Sequence, residues 1–232
     1  MKRCTAFLIA LTASVVPVLG QEPIDYSFEG VRNKVTVATS NAETRASVGS
    51  VARGGDRVRT GWFGYALLAA PRFAARFEVF GGSDVRLASE TPGVLLSLER
   101  GRLKAIFDKI TGEEPRMVRT PGALLAVRGT RYGIEVGPDG VGSLAVFEGI
   151  VEVRSLLRAE PLLVRAGETC LFSTTMRPEA MPMRHGMTEA MWQRHGSGMD
   201  GGTMPGERGM GGMGGSHGGM NRPSSGPGHH RP

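Results

Sequence analysis

Histidine is missing from the first 184 residues of this 232-residue chain, and all five His lie between His185 and His230. Activation of a Ser or Cys nucleophile by an imidazole is therefore excluded from that long region, as is metal catalysis that depends on His. Its carboxylates show no spacing typical of a catalytic acid and base, and charges on strand faces are usually solvated. The sequence predicts a protein that is not an enzyme, and an exported enzyme of unknown type is kept as an alternative.

Cysteine is almost as scarce, since the chain has only Cys4 and Cys170. Cys4 precedes the first apolar run, where it is misplaced for a lipid-modified residue at a cleavage site. Once the N-terminal segment is removed, Cys170 has no internal partner. It is then either a small buried apolar residue or a thiol that pairs between molecules.

Blocks of basic residues are also absent. The net charge is +6, but acidic and basic residues alternate along the chain without interleaved aromatic residues. Nucleic-acid binding is a poor explanation of such a pattern.

The one long apolar run lies at the N-terminus, where Lys2 and Arg3 precede an apolar stretch over residues 6–19. About 14 apolar residues are too few for a membrane span, which needs about 20. Val18 and Gly20 place small residues before Gln21, so the pattern predicts a signal peptide cleaved after Gly20. We therefore expect a periplasmic or secreted protein with no transmembrane segment after cleavage.

Short apolar runs with period-two alternation fill the chain from about residue 35 to residue 173. Leu103, Ala105 and Phe107 share one strand face, while Arg102 and Lys104 point away from it. Gly and Pro separate the runs, as in the turn signal at residues 138–140 (Pro-Asp-Gly). The pattern predicts an all-β domain, and the strand spacing by itself leaves sandwich, barrel and solenoid open.

Composition changes abruptly at Met176, because ten of the 12 Met, counting Met176 itself, and all five His lie between Met176 and Pro232, where Gly also becomes dominant. The segment from Met187 to His195 could form about two helical turns. The rest of residues 176–232 cannot bury enough apolar surface to order itself, so the composition predicts a disordered tail.

The tail also carries soft metal donors, which suggest a periplasmic copper- or nickel-binding protein as an alternative function. An unliganded, solvated tail explains the same composition, so no cofactor is required. The candidate donors are Met181, Met183, His185, Met187, Met191, His195, His217, His229 and His230.

Four short motifs follow one another in a fixed order. Residues 55–61 read Gly-Asp-Arg-Val-Arg-Thr-Gly, and residues 98–101 read Leu-Glu-Arg-Gly. Thr120-Pro121 begins a segment that runs to Arg-Gly-Thr-Arg-Tyr at residues 128–132, and residues 146–153 read Val-Phe-Glu-Gly-Ile-Val-Glu-Val. In this order the motifs resemble the periplasmic domain of the FecR family, over roughly residues 47–172.

The resemblance implies a twisted, solenoid-like or sandwich-like stack of antiparallel strands and a non-enzymatic sensing or scaffold module that binds a protein partner in the cell envelope. Family members typically have a cytoplasmic anti-sigma segment and a membrane helix in addition to this domain. The present sequence has a predicted signal peptide in their place, so we expect a stand-alone exported form. The signature residues are Thr60, Gly61, Gly101, Thr120, Pro121, Arg128, Gly129, Thr130 and Gly149. The expected parts are a signal peptide over residues 1–20, a partly extended lead-in over 21–46, a β domain over 47–175 and a disordered tail over 176–232.

The Arg-Gly-Thr turn has two interpretations. In the first, Gly129 takes a positive φ or a bulged conformation that the backbone requires. In the second, Arg128 and Arg131 form a docking surface for a partner.

Overall fold

The computed structural model describes residues 24–87, 91–108 and 116–195. The expected signal peptide lies outside the described residues, and so do His217, His229 and His230. Among the helices described, none is both long and apolar enough to cross a membrane.

Two sheets make up the described fold, and one long strand belongs to both. Sheet A contains β1 (Asp25–Arg32), β4 (Val51–Arg53), β6 (Tyr65–Ala70), β7 (Ala75–Val79), β12 (Arg131–Val136), β13 (Gly142–Glu148), β16 (Glu168–Phe172) and β17 (Glu179–Pro182). Sheet B contains β2 (Val35–Ala38), β3 (Glu43–Arg45), β5 (Arg57–Thr60), β8 (Asp84–Leu87), β10 (Arg116–Arg119), β11 (Leu124–Val127), β14 (Ile150–Arg154) and β15 (Leu162–Arg165). The shared strand is β9 (Val94–Phe107); a 3-10 turn covers Pro71–Phe73 and α1 covers Glu189–His195.

The strand order is β4-β1-β6-β7-β9-β12-β13-β16-β17 in sheet A. In sheet B it is β3-β2-β5-β8-β9-β10-β11-β14-β15. The chain passes repeatedly from one sheet to the other, and the inward side chains of both sheets form one hydrophobic core. Every pairing between described strands is antiparallel except that of β9 with β10, which is parallel. The all-β prediction is confirmed.

Gly101 marks the point at which β9 changes sheet. Arg100 pairs with Asp84 of sheet B, whereas Gly101 pairs with Val136 of sheet A. Gly101 has a φ of 95°, and a Cβ atom there would lie 2.4 Å from the Ser83 hydroxyl oxygen. The Leu-Glu-Arg-Gly motif thus supplies the one residue type that permits both the backbone bend and the close approach of Ser83.

Both expected ends of the β domain need correction. Residues 21–46 were expected to be a partly extended lead-in outside the β domain. The described part does form strands, but Tyr26 and Phe28 are buried core residues, and β1 pairs with β6 inside sheet A. Residues 176–232 were expected to form a disordered tail apart from about two helical turns within Met187–His195. A helix, α1, is present there, but β17 also pairs with β16, and Trp192 of α1 is 1% exposed. Tertiary contacts stabilise both segments, although neither has a strong local pattern.

Candidate functional site

The first signature motif positions the turn between β5 and β6. The Thr60 hydroxyl donates to the Phe80 carbonyl (2.5 Å) and accepts from the Ser83 amide (2.9 Å). The Gly61 amide donates to the Lys34 carbonyl (2.8 Å). These contacts connect three neighbouring turns at one end of the two sheets.

Thr120 and Pro121 form the tight turn between β10 and β11. The Thr120 hydroxyl donates to the Ala123 carbonyl (2.9 Å) and accepts from the Ala123 amide (3.1 Å). Gly122 approaches Ser173 so closely that a Cβ atom at residue 122 would lie 2.7 Å from the Ser173 backbone. The turn is therefore fixed both by its own hydrogen bonds and by the chain next to it.

The remaining signature residues lie where the chain crosses between sheets. Gly129, with a φ of 62°, lies between β11 and β12, and Gly149, with a φ of 80°, lies between β13 and β14. A Cβ atom at Gly149 would be 2.7 Å from the Gly129 carbonyl oxygen, so the two crossings pack directly on each other. Thr130 is buried and its carbonyl accepts from the Phe107 amide (2.9 Å), whereas Arg128 is exposed.

A groove of about 480 Å³ opens beside the Thr120 turn. It is lined by residues 119–124, 154–157 and 173–174, and we call it the Thr120 groove. Leu156 on its rim is completely exposed and Leu157 is 40% exposed. Solvated leucines next to an apolar concavity are unusual in a chain without a partner, so this groove is a candidate binding site.

Cationic side chains flank the same groove. Arg154 donates to Glu152 (2.6 Å), and Arg119 donates to the Thr91 hydroxyl (2.7 Å). Both guanidinium groups are exposed and are held at the edge of an apolar surface. The groove is therefore suited to an apolar side chain that has a carboxylate next to it.

The outward face of sheet A carries a second cluster, which α1 covers. The Lys104 ammonium lies 2.7 Å from Glu78 and 2.7 Å from Glu189, and its side chain is 6% exposed. Arg131 binds the other oxygen of Glu189 at 3.3 Å and also contacts Glu148 at 3.1 Å. The prediction that Lys104 points away from the core is correct. Helix α1 nevertheless buries its side chain together with the carboxylates of Glu78 and Glu189.

Trp192 anchors α1 on this face. Its indole makes edge-to-face contacts with Phe80 and Phe147, with ring centroids 5.9 and 6.0 Å apart. The Arg102 guanidinium lies 4.9 Å from the indole centroid and donates to the Trp192 carbonyl. Helix α1 thus covers the face of sheet A that contains Arg131. Within the Arg-Gly-Thr turn, Arg128 is exposed, whereas Gly129 and Thr130 are buried.

Two large aromatic residues protrude from the turn that directly follows Thr60, between β5 and β6. We call residues 61–64 the aromatic tip; within it Trp62 is 83% exposed and Phe63 is 79% exposed. Sequence reasoning missed this feature, although an aromatic pair between two glycines is a visible signal in the printed sequence.

The Met and His donors that the structure describes are spread over several elements. Met181 lies on β17, and Met191 and His195 lie on α1, whereas Met183, His185 and Met187 lie between these elements. Among the residues that are described, no three His, Cys, Asp or Glu side chains form a metal-binding group. Metal binding by the tail stays a prediction.

Cys170 lies inside the core, with an exposed fraction of 0%. Burial raises the pKa of its thiol to about 11, although the Glu179 backbone and Arg158 act in the opposite direction. The geometry fits a small apolar residue, because a thiol that pairs between molecules must be accessible.

No protein-family model matches the sequence, and no curated protein matches it. Two crystal structures of a protein provisionally described as an anti-sigma factor from Parabacteroides distasonis are similar to part of the chain. Each match covers 54% of the present chain at 16% sequence identity, and the TM-scores are 0.47 and 0.46. The match covers 59% of the Parabacteroides protein, which is less than two thirds of its length.

Proposed function

We propose that this chain is an exported, non-enzymatic binding module of the FecR type that recognises a protein partner in the cell envelope. The observation that carries the proposal is the Thr120 groove, an apolar concavity bordered by the solvated Leu156 and Leu157. The N-terminal signal features support export, and the ordered series of FecR-like motifs supports the module type.

The occupant we propose for the groove is a short segment of the partner protein with an apolar side chain next to an Asp or Glu. The apolar side chain of the partner would pack against the apolar lining of the groove. Both surfaces would then be removed from water, which is the main source of binding energy at such contacts. Arg119 and Arg154 would bind the carboxylate, and this gives the interaction its preference for an acidic partner.

The rigidity of the groove wall supports this role. The hydrogen bonds of Thr120 to Ala123 and the packing of Gly122 on Ser173 hold the wall in one conformation before any partner arrives. A preformed site loses little conformational entropy on binding. The Thr-Pro motif therefore contributes to binding through the shape of the wall, while Leu156, Leu157 and the two arginines would make the contacts.

Site-specific photocrosslinking tests the proposal. A photoreactive residue is placed at Leu156 of the exported chain, and a matched one is placed at the exposed Ile150 on β14, outside the lining of the groove. We expect the Leu156 probe alone to capture one envelope protein. The purified partner should then bind the unmodified chain, and Leu157→Ser should weaken the affinity about tenfold.

Two results would count against a groove-based partner. One is equal capture of the same proteins by both probes. The other is an affinity that Leu157→Ser and Ile150→Ser reduce to the same extent.

A further inference from the structure

We propose that the aromatic tip docks this protein onto the surface of an anionic lipid bilayer. This goes beyond the binding of a partner protein, because it involves other residues and a different kind of surface. The inference rests on the exposure of Trp62 and Phe63, on the fixed backbone that presents them and on the positive charges around them.

The backbone of the tip is held by contacts on several sides. The Gly64 amide donates to the Gly61 carbonyl (2.8 Å), and so does the Gly82 amide (3.0 Å). The Asn33 side-chain amide donates to the Phe63 carbonyl (2.6 Å). A Cβ atom at Gly81 would lie 1.9 Å from the Trp62 carbonyl oxygen, which shows how closely the neighbouring turn supports the tip. The two aromatic side chains therefore project from a rigid base.

Cations surround this base. Arg32, Lys34 and Arg45 are all exposed, and none of them forms an ion pair with another described residue. Lys34 lies against Gly61, with a Cβ atom at residue 61 only 3.2 Å from the Lys34 Cβ. Arg45 donates to the Asn33 carbonyl (3.3 Å), and the Arg32 guanidinium lies 4.2 Å from the Tyr65 ring centroid.

Acidic groups near the tip do not cancel this charge. Glu43, the acidic residue of β3, pairs with Ala38, whereas Arg45 pairs with Thr36 nearer to the tip. Asp84 is already bound by Arg57 through two hydrogen bonds of 2.5 and 2.6 Å. The surroundings of Trp62 and Phe63 are therefore cationic, in keeping with a negatively charged surface as the partner.

The shape of the tip favours a bilayer over a protein groove. Trp and Phe rings are well suited to the headgroup level of a membrane, where an apolar body meets a polar surface. Lys and Arg near such an insertion each gain favourable energy from anionic lipids. A tip with two exposed aromatic rings lies beside three cations that no described carboxylate pairs with, so it combines both contributions in one place.

Vesicle binding by the chain from Gln21 onward tests the proposal. The protein is titrated with vesicles of phosphatidylcholine mixed with phosphatidylglycerol, and in parallel with vesicles of phosphatidylcholine alone. We expect binding to the anionic vesicles, weakened by added salt and accompanied by a shift of Trp emission to shorter wavelength. The chain has two Trp, and Trp192 is already buried, so the shift should come from Trp62.

Four variants identify the contributions. Trp62→Ala and Lys34→Glu should each weaken binding about tenfold. Trp62→Phe should keep most of the binding and lose the emission shift. Leu156→Ala removes an exposed apolar residue at the Thr120 groove and should leave vesicle binding unchanged, so this assay is independent of the proposed protein partner.

The proposal is wrong if the chain does not bind anionic vesicles, or if Trp62→Ala and Leu156→Ala bind them equally well. It is also wrong if Trp62→Ala leaves vesicle binding intact and instead abolishes binding to a purified envelope protein, because the tip would then belong to a protein interface.

Discussion

Trp192 lies on Gly133 at the centre of sheet A, so closely that a Cβ atom at residue 133 would be 2.5 Å from the indole ring. The indole therefore packs directly on the backbone of Gly133, and this contact makes α1 part of the fold. Since glycine here provides space for a side chain from a helix much later in the sequence, its role depends on the tertiary structure.

The contact between these two residues predicts a coupled effect on stability. Trp192→Ala should lower the free energy of unfolding by about 3 kcal/mol, since it removes a large buried side chain. Gly133→Ala should lower it by about 2 kcal/mol, because the indole must move. In the Trp192→Ala background, Gly133→Ala should cost much less, and a double-mutant cycle by urea denaturation measures this coupling. Additive effects would show that the helix does not rest on Gly133.

The Gly129 crossing predicts a backbone effect that is separate from surface charge. Gly129→Val should lower the free energy of unfolding by roughly 1–3 kcal/mol, since φ is 62° and valine is strained there. Arg131→Ala should stay within about 1 kcal/mol, because its ion pairs with Glu148 and Glu189 are partly exposed. Chemical denaturation of both variants makes the comparison, and equal small effects would refute the backbone explanation.

Because Lys104 is buried between two carboxylates, its removal should strongly lower the free energy of unfolding. Lys104→Ala should cost about 3 kcal/mol, because Glu78 and Glu189 would lose their shared partner while they stay largely buried. Arg76→Ala serves as the control, since its ion pair with Glu29 is more than 40% exposed on both sides. That variant should change the free energy of unfolding by less than about 1 kcal/mol. Equal losses would mean that α1 does not bury Lys104.

Cys170 predicts a pH-dependent reactivity. Burial raises the pKa of the thiol from 9.0 to about 11, so the folded chain keeps its proton at a pH where the unfolded chain has lost it. Folding stability from this group should therefore decline as the pH rises from 9 towards 11. In the chain from Gln21 onward, which lacks Cys4, alkylation at pH 9 should be slow for the native protein and fast in denaturant, and Cys170→Ala should show neither reaction. Rapid native alkylation would place the thiol at the surface.

The tail predicts weak binding of Cu(I). Met181 and Met191 are held on β17 and α1, so the described donors cannot gather freely around one ion. The full chain and a chain that ends after His195 should both compete poorly with a Cu(I) chelator. A cut after Arg177 would confuse the comparison, because it would also remove β17 and Trp192. Tight binding by the full chain, lost in the shorter one, would favour a metal-binding tail beyond His195.

The alternating pattern of the strands could be predicted because it depends on local geometry. Leu103, Ala105 and Phe107 face the core as the period of two requires, and Lys104 faces the other way. The turn at residues 138–140 joins β12 and β13, as the Pro-Asp-Gly signal indicates. Such features need only neighbours in the chain.

The packing of the two ends of the described fold against the rest of the chain could not be predicted in the same way. Residues 189–195 form less than three turns of helix, which are not stable by themselves. The composition of the surrounding segment indicates disorder, and only the aromatic site made by Phe80, Phe147 and Gly133 explains why Trp192 is ordered.

The candidate sites also differ in whether they could be predicted from neighbouring residues in the chain. The signature glycines are visible in the sequence, because a backbone with a positive φ or a closely packed neighbour favours glycine at that position. The Thr120 groove and the cationic surroundings of the aromatic tip are not visible, because each combines residues that are far apart in the chain. The sequence by itself determined that this protein is a β-rich chain with FecR-like motifs. Only the packing of distant strands decided which leucines, aromatic rings and cations remain at its surface, since exposure depends on what the rest of the chain covers.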